Sequence, residues 1–169
     1  MRKLIVATLF LIGLSGCATS QYGNFVKDQP SLDQQVIATD TVKKIVELYP
    51  PAKTRFELLQ ATPDAFGSAL VRGLRDRGYA LMEFDEKAAK ASQNEQSIHS
   101  TRTAPNVGKS VTQNGTHTGS GLPLRYVVDQ FSGTNMYRVT ILVGQESLTR
   151  PYSKESEGIV PAGYWVRKE

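Results

Sequence analysis

Between residues 85 and 121 the chain almost stops supplying large apolar side chains: Lys, Ala, Ser, Thr, Asn, Gln and Gly dominate. Such a stretch cannot bury enough surface to offset its own ordering entropy. It constrains the fold more than any motif does, because a core must then be assembled from residues on either side of it. The excursion itself reads as a disordered polar insertion, about 87–121, or as a loop ordered only by a partner. Lys87–Ala91 is compatible with a short helical piece, and Thr101–Gly121 is the part expected to lack structure.

The flanking regions carry regular periods. Ser31-Leu32-Asp33-Gln34 has the spacing of a capping box, after which Ala38, Thr41, Val42, Ile45, Leu48 and Tyr49 recur at helical intervals until Pro50-Pro51 stops them. Thr54–Ala61 sets Phe56 and Leu58 against Arg55, Glu57 and Gln60, a strand with one wet side. Thr62-Pro63-Asp64 then offers a cap residue, a proline for the first helical position and an acid for the first turn. In the helix that follows, Phe66, Ala69, Leu70 and Leu74 share a face, and Gly78 supplies a left-handed stop. Tyr79–Phe84 reads as a second strand.

Beyond the excursion, Leu122–Phe131 and Met136–Val143 flank the turn Ser132-Gly133-Thr134-Asn135 as a hairpin, with Tyr137, Val139, Ile141 and Val143 on one face. A short strand over Glu146–Tyr152 should follow. In the tail, Trp165 is a core lid, a C-terminal strand residue or a contact surface. Together these elements predict an α+β fold. Residues 31–169 form one small domain in which two helices pack on a mixed or antiparallel sheet of about four to five strands.

The N-terminus is an address rather than part of that domain. Arg2 and Lys3 precede an apolar run, Leu4–Leu14, too short to remain as a transmembrane helix. The run ends in Leu14-Ser15-Gly16-Cys17, which resembles the lipobox of bacterial lipoproteins. The resemblance implies removal of residues 1–16 as a signal peptide and acylation of Cys17 as the new N-terminus. Ala18, where Asp would retain the protein in the inner membrane, implies an outer-membrane anchor facing the periplasm. The alternative is an ordinary secreted chain with a chance cysteine. Acyl chains contribute about 0.8 kcal/mol per buried methylene, so several on one residue hold a protein durably. Cys17 is the only cysteine, which excludes an intramolecular disulfide. Residues 17–30 read as the lipidated tether, either a flexible spacer or a segment whose Tyr22, Phe25 and Val26 add to a neighbour's surface.

Several function classes are disfavoured. The formal net charge of +4 drops by two when Arg2 and Lys3 leave, and the remaining charges are interspersed, so direct nucleic-acid binding is not expected. His99 and His117, the two histidines, both fall in the polar excursion, where no scaffold would position them for acid–base work. No nucleophile elbow, phosphate loop, zinc-binding histidine pair or acidic calcium loop is present. Asp64 and Glu57 have ordinary explanations as a first-turn acid and a surface residue. The chain therefore reads as a non-enzyme without cofactor or metal.

Leu122-Pro-Leu-Arg-Tyr-Val-Val-Asp129 followed by Met136-Tyr-Arg-Val-Thr-Ile141, together with the lipobox and the proline-rich end of the first helix, resembles the conjugal transfer protein TrbH family. The resemblance implies a small lipoprotein of a conjugative type IV secretion apparatus, a non-catalytic scaffold or assembly component whose partners are other channel subunits and, through its lipid, the membrane. The order helix, strand, helix, strand, hairpin is also similar to the N-terminal domains of secretins. Tyr22, Phe25, Val26 and Trp165 are the candidate partner contacts, and the edges of the late hairpin are expected to be exposed for docking. A lipid-anchored envelope module unrelated to conjugation, for example one that binds peptidoglycan, is the alternative.

Overall fold

The computed structural model describes residues 21–27, 30–86 and 121–169. Cys17, both histidines and the polar excursion up to residue 120 lie outside the described residues. In chain order the elements are β1 (Gly23–Asn24), α1 (Ser31–Leu48), a 3₁₀ turn (Pro51–Lys53), β2 (Arg55–Leu58), α2 (Ala65–Asp76) and β3 (Ala80–Met82). After the excursion come β4 (Leu122–Gln130), β5 (Met136–Val143), β6 (Glu146–Glu155), β7 (Gly158–Pro161) and β8 (Val166–Lys168). The α+β class is as expected, but the strands form one eight-stranded mixed sheet rather than four or five. The additional strands, β1, β7 and β8, are two to four residues long, too short to display an alternating pattern in sequence.

The helix ends show which local signals prevailed. The capping box at Ser31 does not form: Pro30 occupies the cap position without a side-chain bond. Gln34 instead accepts from the Phe66 N–H at 3.0 Å and from Asn24 Nδ2 at 2.9 Å, satisfying a buried amide on the other helix. In α2 the cap is Asp64, two residues later than Thr62, the cap expected from the sequence, with its carboxylate accepting from the Gly67 N–H at 3.0 Å. The C-terminus closes as a Schellman motif: Tyr79 N–H bonds Leu74 C=O, Gly78 N–H bonds Arg75 C=O, and Gly78 adopts φ 85°. Buried Leu74 and Tyr79 supply the accompanying apolar contact.

The sheet order is β3-β2-β4-β5-β6-β7, with β1 on the β2 side of β4 and β8 on the β7 side of β6. Strands β2 and β3 are parallel neighbours joined through α2, while β4, β5 and β6 form an antiparallel meander. The two sequence regions meet where β4 returns parallel to β2, pairing Phe56 with Leu122 and Leu58 with Leu124. Phe56, Leu58, Leu124, Tyr126, Val128, Val139, Ile141, Leu148 and Tyr152 join Ile37, Val42 and Ile45 of α1 and Phe66, Leu70 and Leu74 of α2 in one core. The expected hairpin forms with Gly133 at φ 73° in its turn, but its edges are not exposed. β1 and β2 cover β4, and β6 covers β5, so the hairpin is the centre of the sheet.

The helices touch at a residue without a side chain. A Cβ on Gly73 would lie 2.9 Å from Val42 Cγ2, and the branched valine has little rotamer freedom in a helix with which to retreat. Gly73→Ala is therefore expected to lower stability by about 1–3 kcal/mol despite its better helix propensity, read as a drop in Tm by calorimetry. A neutral or stabilising result would show that the helices separate without cost.

Candidate interaction surface

Four acidic residues near the core, Asp64, Asp40, Asp33 and Glu146, are committed to structure, whereas Glu57 Oε2 is buried without a hydrogen-bond partner among the described residues. Asp64 caps α2, accepts from the Tyr126 hydroxyl, and lies 3.3 Å from Asn24 Nδ2. Asp40 accepts from Arg150 Nη1 and from the Tyr152 hydroxyl, each at 2.7 Å, fastening α1 to β6. Asp33 binds Lys154 Nζ at 2.6 Å. Glu146 accepts from the Tyr49 hydroxyl and from the Arg167 guanidinium, and these bonds hold its carboxyl below the usual range, Arg167 contributing most. Among the described residues no group of three or more His, Cys, Asp or Glu could hold a metal ion. No helix among them is long and apolar enough to cross a membrane.

Burial pushes the Tyr49 phenol up to about 12, with Glu146 adding to the effect. Burial likewise raises Tyr79, Tyr126 and Tyr152, helped at the last two by Asp64 and Asp40. An unfolded tyrosine loses its proton near pH 10, below these folded values. The stability they contribute is thus complete below about pH 10 and is lost as pH rises through the folded values. Tm should fall as pH rises above about 10, with these four of the seven tyrosines ionising together with unfolding in a tyrosinate absorbance titration. Ionisation of all seven near pH 10 without loss of Tm would contradict the assigned contacts.

With these four acids so occupied, the remaining functional feature is surface. Among the described residues the helices take one face of the sheet and no other element covers the second face. Across it run Val127, Thr140, Thr149 and Val166 in register, with Thr140 and Thr149 hydroxyls 3.1 Å apart. A second row holds Asp129, Arg138 and Pro151, the first two joined by a bidentate ion pair. At the far edge, β8 has one side that no described strand pairs, and Tyr164 and Val166 are 91% and 64% exposed. At the other end of the domain Phe25, Leu32 and Phe131 are exposed around an open cleft lined by Phe25, Lys27, the hairpin turn and Lys154.

The four candidate contact residues are dispersed. Tyr22 lies under the Arg125 guanidinium, 4.9 Å from ring centroid to charge. Phe25 donates its N–H to Val128 C=O at 2.8 Å, extending β1, and keeps its ring exposed. Val26 and Trp165 pack against the core, Trp165 with the Arg150 guanidinium 6.0 Å from its ring. Tyr22, Phe25 and Val26 thus sit together beside β4, whereas Trp165 is across the sheet beside β6. Tyr164, Val166 and Phe131 are exposed residues that the sequence does not mark, since the three residues of β8 are too few to set a period.

A family model for the conjugal transfer protein TrbH matches residues 19–169. The chain belongs to the TrbH family. The match covers all the described residues and includes the β4–β5 hairpin on which the resemblance was first seen. No curated protein and no solved structure matches the chain. TrbH membership relates it to conjugal transfer.

Proposed function

We propose that this TrbH-family chain is an outer-membrane lipoprotein, anchored through Cys17 and facing the periplasm, that serves as a non-catalytic scaffold of a conjugative type IV secretion channel. The lipobox supports the anchor and the family supports the setting. The observation that carries the scaffold role is the β8 edge, a short strand with one side unpaired among the described residues, where Val166 and the adjoining Tyr164 are exposed. An open edge supplies unpaired backbone N–H and C=O groups to an incoming strand, and apolar side chains on alternate positions select it. Anchoring raises the local concentration of the domain beside channel subunits, so a modest interface suffices for assembly. The α1–β2–α2–β3 order followed by a meander supports a likeness to the small domains of secretins, other channel proteins of the envelope.

The test is affinity purification of the tagged, membrane-extracted protein from cells carrying its native neighbouring genes, with mass spectrometry of what is bound. Wild type should recover channel subunits, and a Tyr164→Ala/Val166→Lys variant should lose them several-fold with its Tm unchanged. Recovery of unrelated envelope proteins alone would remove the conjugation role. Separately, Cys17→Ser should no longer fractionate with the outer membrane, and its continued presence there would remove the lipid anchor.

A further inference from the structure

The sheet dictates how the chain can travel from β3 to β4. β2 pairs in parallel with β3 on one side, Glu57 opposite Met82, and with β4 on the other, Glu57 opposite Pro123. The chain leaves one neighbour of β2 and enters the other in the same direction, so between them it passes β2 on one face of the sheet or the other. Parallel strands need a crossover of about a dozen residues or more, and residues 87–120 are ample for it.

Handedness and occupancy choose the same face. Crossovers between parallel strands of one sheet are right-handed almost without exception. The β2–α2–β3 crossover runs outward over the face that Phe56 and Leu58 share with Phe66, Leu70 and Leu74. The return from β3 to β4 runs the opposite way, so the same hand puts it on the opposite face. The two helices already fill the first face, whereas parallel strands are as a rule covered on both.

Two details of the described residues lie on that second face. Phe56 and Leu58 point to the helices, so Arg55 and Glu57 point away from them. A Cβ on Gly121, by which the chain enters β4, would stand 3.0 Å from Glu57 N, 3.0 Å from Phe56 C and 3.1 Å from Glu57 Cβ. Only a residue without a side chain lets the incoming chain press this closely on the β2 backbone beside Glu57. The Glu57 side chain is partly buried, with Oε2 enclosed and no donor upon it among the described residues. A carboxylate oxygen so placed carries a desolvation cost that a passing N–H or O–H removes, and residues 87–120 are rich in the Ser, Thr, Asn and Gln that supply them.

We propose that residues 87–120 return to β4 across the face of the sheet opposite the helices, passing over β2 at Arg55 and Glu57. The parallel part of that face is then taken by the protein's own chain. A partner meets only the antiparallel part, from Thr140 and Thr149 to Val166 at the β8 edge. This route follows from connectivity, whether or not Cys17 carries a lipid.

The test is photo-cross-linking in the full chain. p-Benzoylphenylalanine would replace either Arg55, exposed on the far face of β2, or Arg72, exposed on α2, and at these exposed positions each variant should keep the parent Tm. After irradiation the monomer band would be digested with trypsin and its joined peptides identified by mass spectrometry. The tryptic peptides 91–102 and 103–109 lie wholly within the excursion. Attachment of position 55 to these peptides at a yield several-fold above that from position 72 is the expected result. Equal yields, a larger yield from position 72, or no attachment of position 55 to either peptide overturns the proposal.

Discussion

Tyr126 holds the two halves of this chain together. It lies on β4, just after the polar excursion, and both its hydrogen-bond donors are answered from before the excursion: its N–H by Gln60 Oε1 at 2.9 Å and its hydroxyl by Asp64. Its ring meets Phe66 edge-on with centroids 5.0 Å apart. The N–H needs a side-chain acceptor because β4's outer edge is covered in two pieces, by β2 at Leu122–Leu124 and by β1 at Val127–Val128, leaving a gap between them. The fit is tight as well: a Cβ at residue 67 would come within 2.3 Å of the Tyr126 hydroxyl, so the first turn of α2 is glycine where the phenol enters. Burial of an aromatic ring supplies the driving force, and the two side-chain acceptors fix the register.

How legible this was depended on whether a signal was local. α2 was read correctly on its apolar face and at Gly78, since both depend on residues within a few positions of one another. The hairpin was legible for the same reason, its alternation running through Val139, Ile141 and Val143. What failed required knowledge of distant partners. Gln34 looked like half of a capping box until Phe66 and Asn24 supplied better uses for its carbonyl. Ile37, fully buried in α1, lies one residue before the helical series Ala38–Tyr49 and adds to its buried face. β1, β7 and β8 exist only because longer strands present edges to them, and two to four residues carry no period of their own.

The surface was less legible than the fold. Tyr22, Phe25 and Val26 lie along one stretch beside β4, but Val26 packs against the core and only Phe25 keeps its side chain exposed. Trp165 drew attention as the single tryptophan, but its ring is turned inward and its neighbours Tyr164 and Val166 present the apolar surface. Whether an aromatic faces in or out is decided by which residue of an alternating pair meets the core, and that parity is set by the register of β8 on β6.

That register has a further consequence. β7 and β8 divide the outer edge of β6 between them, β7 on Tyr152–Glu155 and β8 on Ser147–Thr149, and neither depends on the other for its pairing. β8 is held by three residue pairs and by the Arg167–Glu146 ion pair, while β7 closes through its own turn and buries Ile159. Between the two strands the chain is tied down by the Ala162 N–H bond to Pro151 C=O at 3.0 Å, by Arg150 Nε donating to Gly163 C=O at 2.8 Å and by Trp165 packing against the core. Two short strands separated by a bend thus cover the outer edge of one long strand, and the side chains of the bend, rather than a continuous ladder, hold the last residues of the chain in line.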